Sequence, residues 1–133
     1  MDRLVLDTNV VISAALSPSG PPARVLERVL DRSAELAISP EVLEEYRSVL
    51  SRSEFGFAPG RADELIEDIV RVALDVVPSQ AIKVCSDPED DMFIECAFAA
   101  GANFVVTGNR RHFPATFADI RIVSPAAYLR LIA

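Results

Sequence analysis

The chain has 133 residues, half of them apolar and a quarter charged, which suits a single domain spanning 1–133 whose core needs no disulfide or structural metal. Its net charge of −7 argues, taken alone, against a nucleic-acid binder. Metal-binding carboxylates would themselves make a chain acidic, however, and bound cations would reverse the local sign, so charge does not decide. No apolar run approaches the roughly 20 residues of a membrane span. Met1 to Val5 lacks the features of a secretory leader, and Cys85 and Cys96 fit no zinc spacing and read as reduced thiols. The expected location is the cytoplasm, with no membrane partner.

Leu4 to Leu6 reads as a strand ended by Asp7, and Asn9 to Leu16 as a helix. A Pro/Gly loop comes next, then a helix over Ala23 to Arg32 with Val25, Leu26, Val29 and Leu30 on one side. Leu36 to Ile38 is a strand, and Ser39-Pro40 starts a helix running to about Ser51. Phe55 to Gly60 is a loop and Ala62 to Ala73 an amphipathic helix. Asp75 to Val77 and Ile82 to Val84 are short strand candidates. Asp87-Pro88-Glu89-Asp90 opens a helix that stops at Gly101. Phe104 to Val106 and Ile120 to Val123 are strands, and Pro125 to Ile132 is a closing helix. Short strands alternating with helices predict βαβ units around a mostly parallel sheet. In such sheets ligands sit beyond the carboxyl ends of the strands. Asp7, the Ser39 helix with Glu45, and Thr107-Gly108-Asn109 all fall at that edge.

Helical phase sorts the acids. Glu45 lies three residues after Val42 and four before Val49, within the apolar stripe. A carboxylate there is costly unless a metal or an Arg pairs with it. Asp90 precedes Phe93 by three and Ala97 by seven and so faces the sheet, whereas Asp91 lies about 100° round, at the edge, and is counted as supporting. The bland alternatives are capping by Asp87 and dipole stabilisation by Glu89 and Asp90, a cap or Asx turn at Asp7, and a buried salt bridge at Glu45.

VLDTNVVISA (Val5 to Ala14), SPEVLEEYRSVLSR (Ser39 to Arg52), DPEDDMFIECA (Asp87 to Ala97) and VVTGNRRHFP (Val105 to Pro114) together resemble the four motif regions of PIN-domain nucleases. They are most similar to the VapC-like toxin components of toxin–antitoxin pairs. The resemblance runs from about Leu4 to Ser124 and rests on the order and spacing of all four segments. It implies a three-layer α/β/α fold with a central, mostly parallel sheet, and a ribonuclease dependent on Mg²⁺ or Mn²⁺. Asp7, Glu45 and Asp90 match the family's acids and would be catalytic metal ligands, with Asp87 as a further metal-binding acid. Thr8, Asn9, Thr107 and Asn109 would orient water or phosphate. The chain departs from the family's Thr-x-Asp at Asn109, which removes one charge and puts a second metal in doubt.

Arg110 and Arg111 come next at the site edge as candidate phosphate contacts, or as a solvated turn. His112 is the only histidine, so a His pair is impossible, and it reads as structural. The implied partners are an RNA substrate, a small antitoxin covering the acidic edge, and a second copy in a homodimer. One alternative is a catalytically weak or inactive module binding protein or RNA, which Asn109 permits. Another is an Asp7-based phosphatase or phosphotransfer domain, disfavoured because Asn9 stands where a second Asp is wanted.

Overall fold

The computed structural model describes residues 1–133. Its elements in order are β1 (Arg3–Leu6), α1 (Thr8–Leu16), α2 (Pro21–Leu30), β2 (Glu35–Ile38), α3 (Pro40–Leu50), α4 (Arg61–Val72), β3 (Leu74–Asp75), α5 (Asp91–Ala100), β4 (Phe104–Val106), β5 (Thr116–Phe117), β6 (Ile120–Val123) and α6 (Pro125–Leu131). The strands form one sheet in the order β3-β2-β1-β4-β6-β5. All neighbours are parallel except the β5–β6 hairpin. Helices flank this sheet, as the α/β/α expectation requires. No helix is long and apolar enough to cross a membrane.

The central strands are apolar on both faces because helices cover both. Leu4, Val5, Leu6, Leu36, Ala37, Val105 and Val106 are wholly buried. Burying one such aliphatic side chain contributes roughly 1.5–3 kcal/mol. Helix starts obey local chemistry: Ser39 and Ser124 cap α3 and α6 through their hydroxyls, each succeeded by Pro at the first position. Helix α5 ends at Gly101, whose φ of 63° lies in the left-handed region open to glycine.

Several segments differ from the expectation drawn from sequence: the third strand is Leu74–Asp75 rather than Asp75 to Val77. Ile82 to Val84 is not a strand. The N–H of Ile82 is taken by Glu95 Oε2 (3.0 Å), and those of Val84 and Cys85 by Asp91 Oδ1 (3.1 and 2.9 Å). Side-chain acceptors thus replace a neighbouring strand. Asp87 does act as a cap, accepting from Glu89 N, but Pro88–Asp90 forms a 3₁₀ turn and α5 proper starts at Asp91. The hairpin strand β5 has only two residues and reverses through Ala118 at φ 50°, too short to show alternation in sequence.

Candidate functional site

The sheet's strand order reverses beside β1, which has β2 on one side and β4 on the other. Crossovers leave in opposite directions from such a point and open a crevice at the carboxyl ends. Leu6 pairs in register with Val106, so the next residues, Asp7 and Thr107, emerge side by side. The Asp7 N–H donates to Val106 O (2.9 Å) and that of Thr107 to Val123 O (2.9 Å). Both residues are therefore fixed by the ladder. Thr107 Oγ1 donates to Asp7 Oδ2 at 2.7 Å and accepts from Asn109 N at 2.9 Å. Asn9 Oδ1 accepts from Gly108 N at 3.2 Å, tying the first turn of α1 to the same loop.

Asp7 occupies the N-cap position of α1 but makes no side-chain capping hydrogen bond. Its carboxylate is buried and turned to Thr107 instead. Burial pushes its pKa up. The Thr107 hydroxyl opposes this, as do the N–H groups of Asn9 and Thr8, which lean toward the carboxylate, and the nearby His112. The buried hydroxyl of Thr8 has no hydrogen-bond partner.

Asp90 stands at the junction of the 3₁₀ turn and α5, half-buried. Its carboxyl is pushed up to about 6 by burial first, then by the charges of Asp7 and Asp87, against the pull of His112. His112 Nδ1 lies 3.4 Å from Asp90 Oδ2, and the His112 carbonyl accepts from Ser86 N at 2.9 Å. Sequence alone assigns His112 a structural role only, whereas its ring reaches an acid at the site. The one signal for this is its place directly after the Asn109 loop.

Glu45 sits on α3, half-buried between buried neighbours Val42, Tyr46 and Val49. It has no ionic partner, so the salt-bridge alternative fails. Tyr46, wholly buried, donates from its hydroxyl to Leu6 O at 2.5 Å and so pins α3 to the end of β1. Asp87 spends Oδ1 on its own turn, accepting from Glu89 N at 3.0 Å. Asp91 is a correction: it is buried rather than at the edge, because the 3₁₀ turn resets the helical phase, and it anchors residues 84 and 85. Arg110 and Arg111 are exposed in a short turn beyond Asn109, itself exposed. Both cysteines are free; burial raises each thiol to about 12, far from a reactive thiolate.

The fold thus assembles Asp7 and Asp90, with Asp87, Thr107, Asn9 and His112 around them. No three His, Cys, Asp or Glu side chains converge to within metal-holding range, and Glu45 is not among the charges acting on Asp7 or Asp90. The donor chemistry fits a hard divalent cation. Every candidate ligand is an oxygen, and two raised carboxyls, one of them raised in part by the other's charge, are what a cation relieves.

These features define an α/β protein with a carboxylate pair at the switch point of its sheet. The family pattern described as PIN domain matches residues 3–111, and the chain belongs to the PIN-domain family. The uncharacterized protein MJ1680 of Methanocaldococcus jannaschii is 26% identical over 111 residues, covering 81% of this chain and 71% of that protein. Among solved structures, a DNA-bound VapBC from Salmonella typhimurium superposes with a TM-score of 0.64 at 21% identity, covering 94% of this chain and 99% of that one. A VapBC2 from Rickettsia felis, bound to a promoter DNA fragment, gives 0.58 at 16% identity, covering 90% and 98%. FitAB bound to an IR36 DNA fragment gives 0.59 at 18% identity, covering 92% and 94%. At these identities the structural likeness establishes the fold.

Proposed function

We propose that the chain, acting as one domain, is a metal-dependent ribonuclease and the toxin of a toxin–antitoxin pair. The observation behind this is the Asp7–Asp90 pair at the sheet's carboxyl edge in a chain that belongs to the PIN-domain family. Asp7 and Asp90 would hold the cation, with Glu45 and Asp87 as the further acids. Mg²⁺ or Mn²⁺ bound there would supply electrophilic stabilisation of the scissile phosphate's oxygens. Thr107 fixes the Asp7 carboxylate by its hydroxyl, and Asn9 and Asn109 shape the loop facing the phosphate. The unpartnered Thr8 hydroxyl is free to orient a water or phosphate oxygen. His112 keeps Asp90 turned toward the centre. Arg110 and Arg111 contact phosphates at the rim. Asp91 acts through the 82–85 segment and touches no substrate.

The toxin assignment draws on the motif resemblance and on the fold shared with the VapBC and FitAB structures. It places the chain in the cytoplasm, as a homodimer, with a small antitoxin laid over the acidic edge and an Arg inserted there. Co-expression with the product of a neighbouring short reading frame, with co-purification as the readout, tests that partner.

The first measurement is cleavage of labelled single-stranded RNAs with Mn²⁺, Mg²⁺ or chelator, comparing the wild type with Asp7→Asn and Asp90→Asn. Metal-dependent cutting lost in both variants supports the nuclease. No cutting by folded, metal-supplied protein across the panel favours either a very narrow substrate or the non-catalytic binding module, and calorimetric metal binding then separates the two.

A further inference from the structure

We infer that a second, basic groove beside the acidic centre binds the backbone of single-stranded RNA. That this RNA is the substrate rests on the nuclease reading above.

The groove encloses about 470 Å³ between β5, β6 and α6, and Arg110, Arg121 and Arg130 line it with Thr116. Arg110 also lines the adjoining recess, together with Asn109, Arg111 and His112. His112 in turn reaches Asp90. Arg110 thus lines both depressions, and His112 in the nearer one reaches the acidic centre.

Charge sets this surface apart. Acids outnumber bases 20 to 13 in the chain, yet no Asp or Glu lines either depression. Arg110, Arg111, Arg121 and Arg130 are exposed and have no ionic partner. Elsewhere Arg3 pairs with Glu35 and Arg71 with Asp68. Arg121 is also held in place, its guanidinium carbon 5.9 Å from the centroid of the Phe104 ring. That ring is packed edge-on against Tyr128 at 5.3 Å. A stacked guanidinium keeps its N–H edges free for phosphate oxygens.

Polyanionic RNA suits this surface better than a protein partner. A protein anchors on exposed aromatic or apolar side chains. Here the apolar lining is mostly floor, with Ile122 and Val123 buried and only Leu131 a large exposed apolar group. Arg110, shared with the recess that holds His112, lets one strand reach both.

The test is binding of a fluorescent single-stranded RNA of about 12 nucleotides, read by anisotropy in chelator over a range of salt. The double variant Arg121→Gln/Arg130→Gln is compared with Arg47→Gln/Arg71→Gln, which removes equal charge from a depression shared with Asp63 and Glu67. Thermal melting confirms folding of each. Each lost phosphate contact lowers the slope of log affinity against log salt by about 0.7. A drop near 1.4 (roughly two contacts) in the groove variant alone supports the proposal. An unchanged slope overturns it, as does a drop of equal size in both variants. Displacement by polyglutamate while RNA fails to bind assigns the groove to an acidic protein and also overturns it. Mn²⁺-dependent cleavage by the wild type is scored separately. Cutting with an unchanged slope leaves the nuclease standing without the groove. Groove-dependent binding without cutting upholds the groove and removes the nuclease reading.

Discussion

Thr107 Oγ1 donates to Asp7 Oδ2 across 2.7 Å, joining two residues 100 positions apart at the adjacent ends of β4 and β1. The bond favours the charged form of an acid that burial pushes toward protonation. It also presents Asp7 in a single orientation. Outer groups that orient a metal-binding carboxylate typically matter about 10- to 100-fold. Thr107→Val keeps the shape and removes the donor. It is expected to weaken Mn²⁺ binding and cleavage by about tenfold or more, while Thr107→Ser retains most of both. Calorimetric Mn²⁺ titration of the three proteins checks this. Equal affinity in Thr107→Val would mean the hydroxyl does not position Asp7.

The raised carboxyls make a pH prediction for metal-free protein. Asp90 titrates near 6 in the fold against 3.8 as the ordinary value, so between those limits the folded state binds more protons than the unfolded. Stability from this group is therefore present at low pH and lost as pH rises through about 6. Asp7 is shifted in the same direction. In chelator, Asp90→Asn should be more stable than the wild type at about pH 7.5, by about 1 kcal/mol for a partly solvated group. The gap should close toward about pH 4.5. Urea unfolding at both pH values measures it. With saturating Mn²⁺ the ordering reverses, because only the wild type gains the linkage from binding.

The sequence made much of this architecture legible because its signals are periodic. Val42, Tyr46 and Val49 recur at helical spacing, and Leu4 to Leu6 and Phe104 to Val106 are apolar runs of strand length. The edge rule for parallel sheets then puts Asp7, Ser39 and Thr107 on one rim. The failures share a physical cause. A 3₁₀ turn at Pro88–Asp90 shifts the phase that would set Asp91 at the edge, and phase counting assumes uninterrupted α-helix. The segment 82–85 takes its hydrogen bonds from Asp91 and Glu95, which are tertiary contacts invisible to local pattern. His112 reaches Asp90 from a separate loop beyond β4, with no periodicity to announce it. Arg121 and Arg130 likewise share a groove only because β6 and α6 fold back together.

The roles of the adjacent acids Asp90 and Asp91 separate cleanly by substitution. Asp91 Oδ1 accepts two backbone N–H groups, and removing it strands both donors. Asp91→Ala should cost about 3 kcal/mol, within the range for losing charge-assisted hydrogen bonds at a buried site. Asp91→Asn keeps an oxygen acceptor and should cost less than half of that, with cleavage retained. Asp90→Asn should show the opposite pattern, with stability kept and cleavage lost. Paired melting and cleavage assays on the three variants decide it. Loss of cleavage in folded Asp91→Asn would place Asp91 at the centre after all.

Tyr46 tests how α3 is pinned to the end of β1, next to Asp7. Its ring is wholly buried, and its hydroxyl reaches the Leu6 carbonyl, one residue before Asp7. Burial, then the nearby Cys96 and Asp7, hold the phenol well above its usual range, so it remains a neutral donor at any working pH. Tyr46→Phe preserves the packing but leaves the Leu6 carbonyl short of a partner in the interior. The expected loss is about 1–2 kcal/mol, a fall in melting temperature of several degrees for a chain of this length. Loosening α3 there also frees the end of β1 that carries Asp7. Cleavage should therefore fall several-fold at limiting Mn²⁺ and recover at high Mn²⁺, because the defect lies in how Asp7 is positioned rather than in its identity. A fall in rate that no concentration of Mn²⁺ restores would instead give the Tyr46 hydroxyl a direct part in the chemistry.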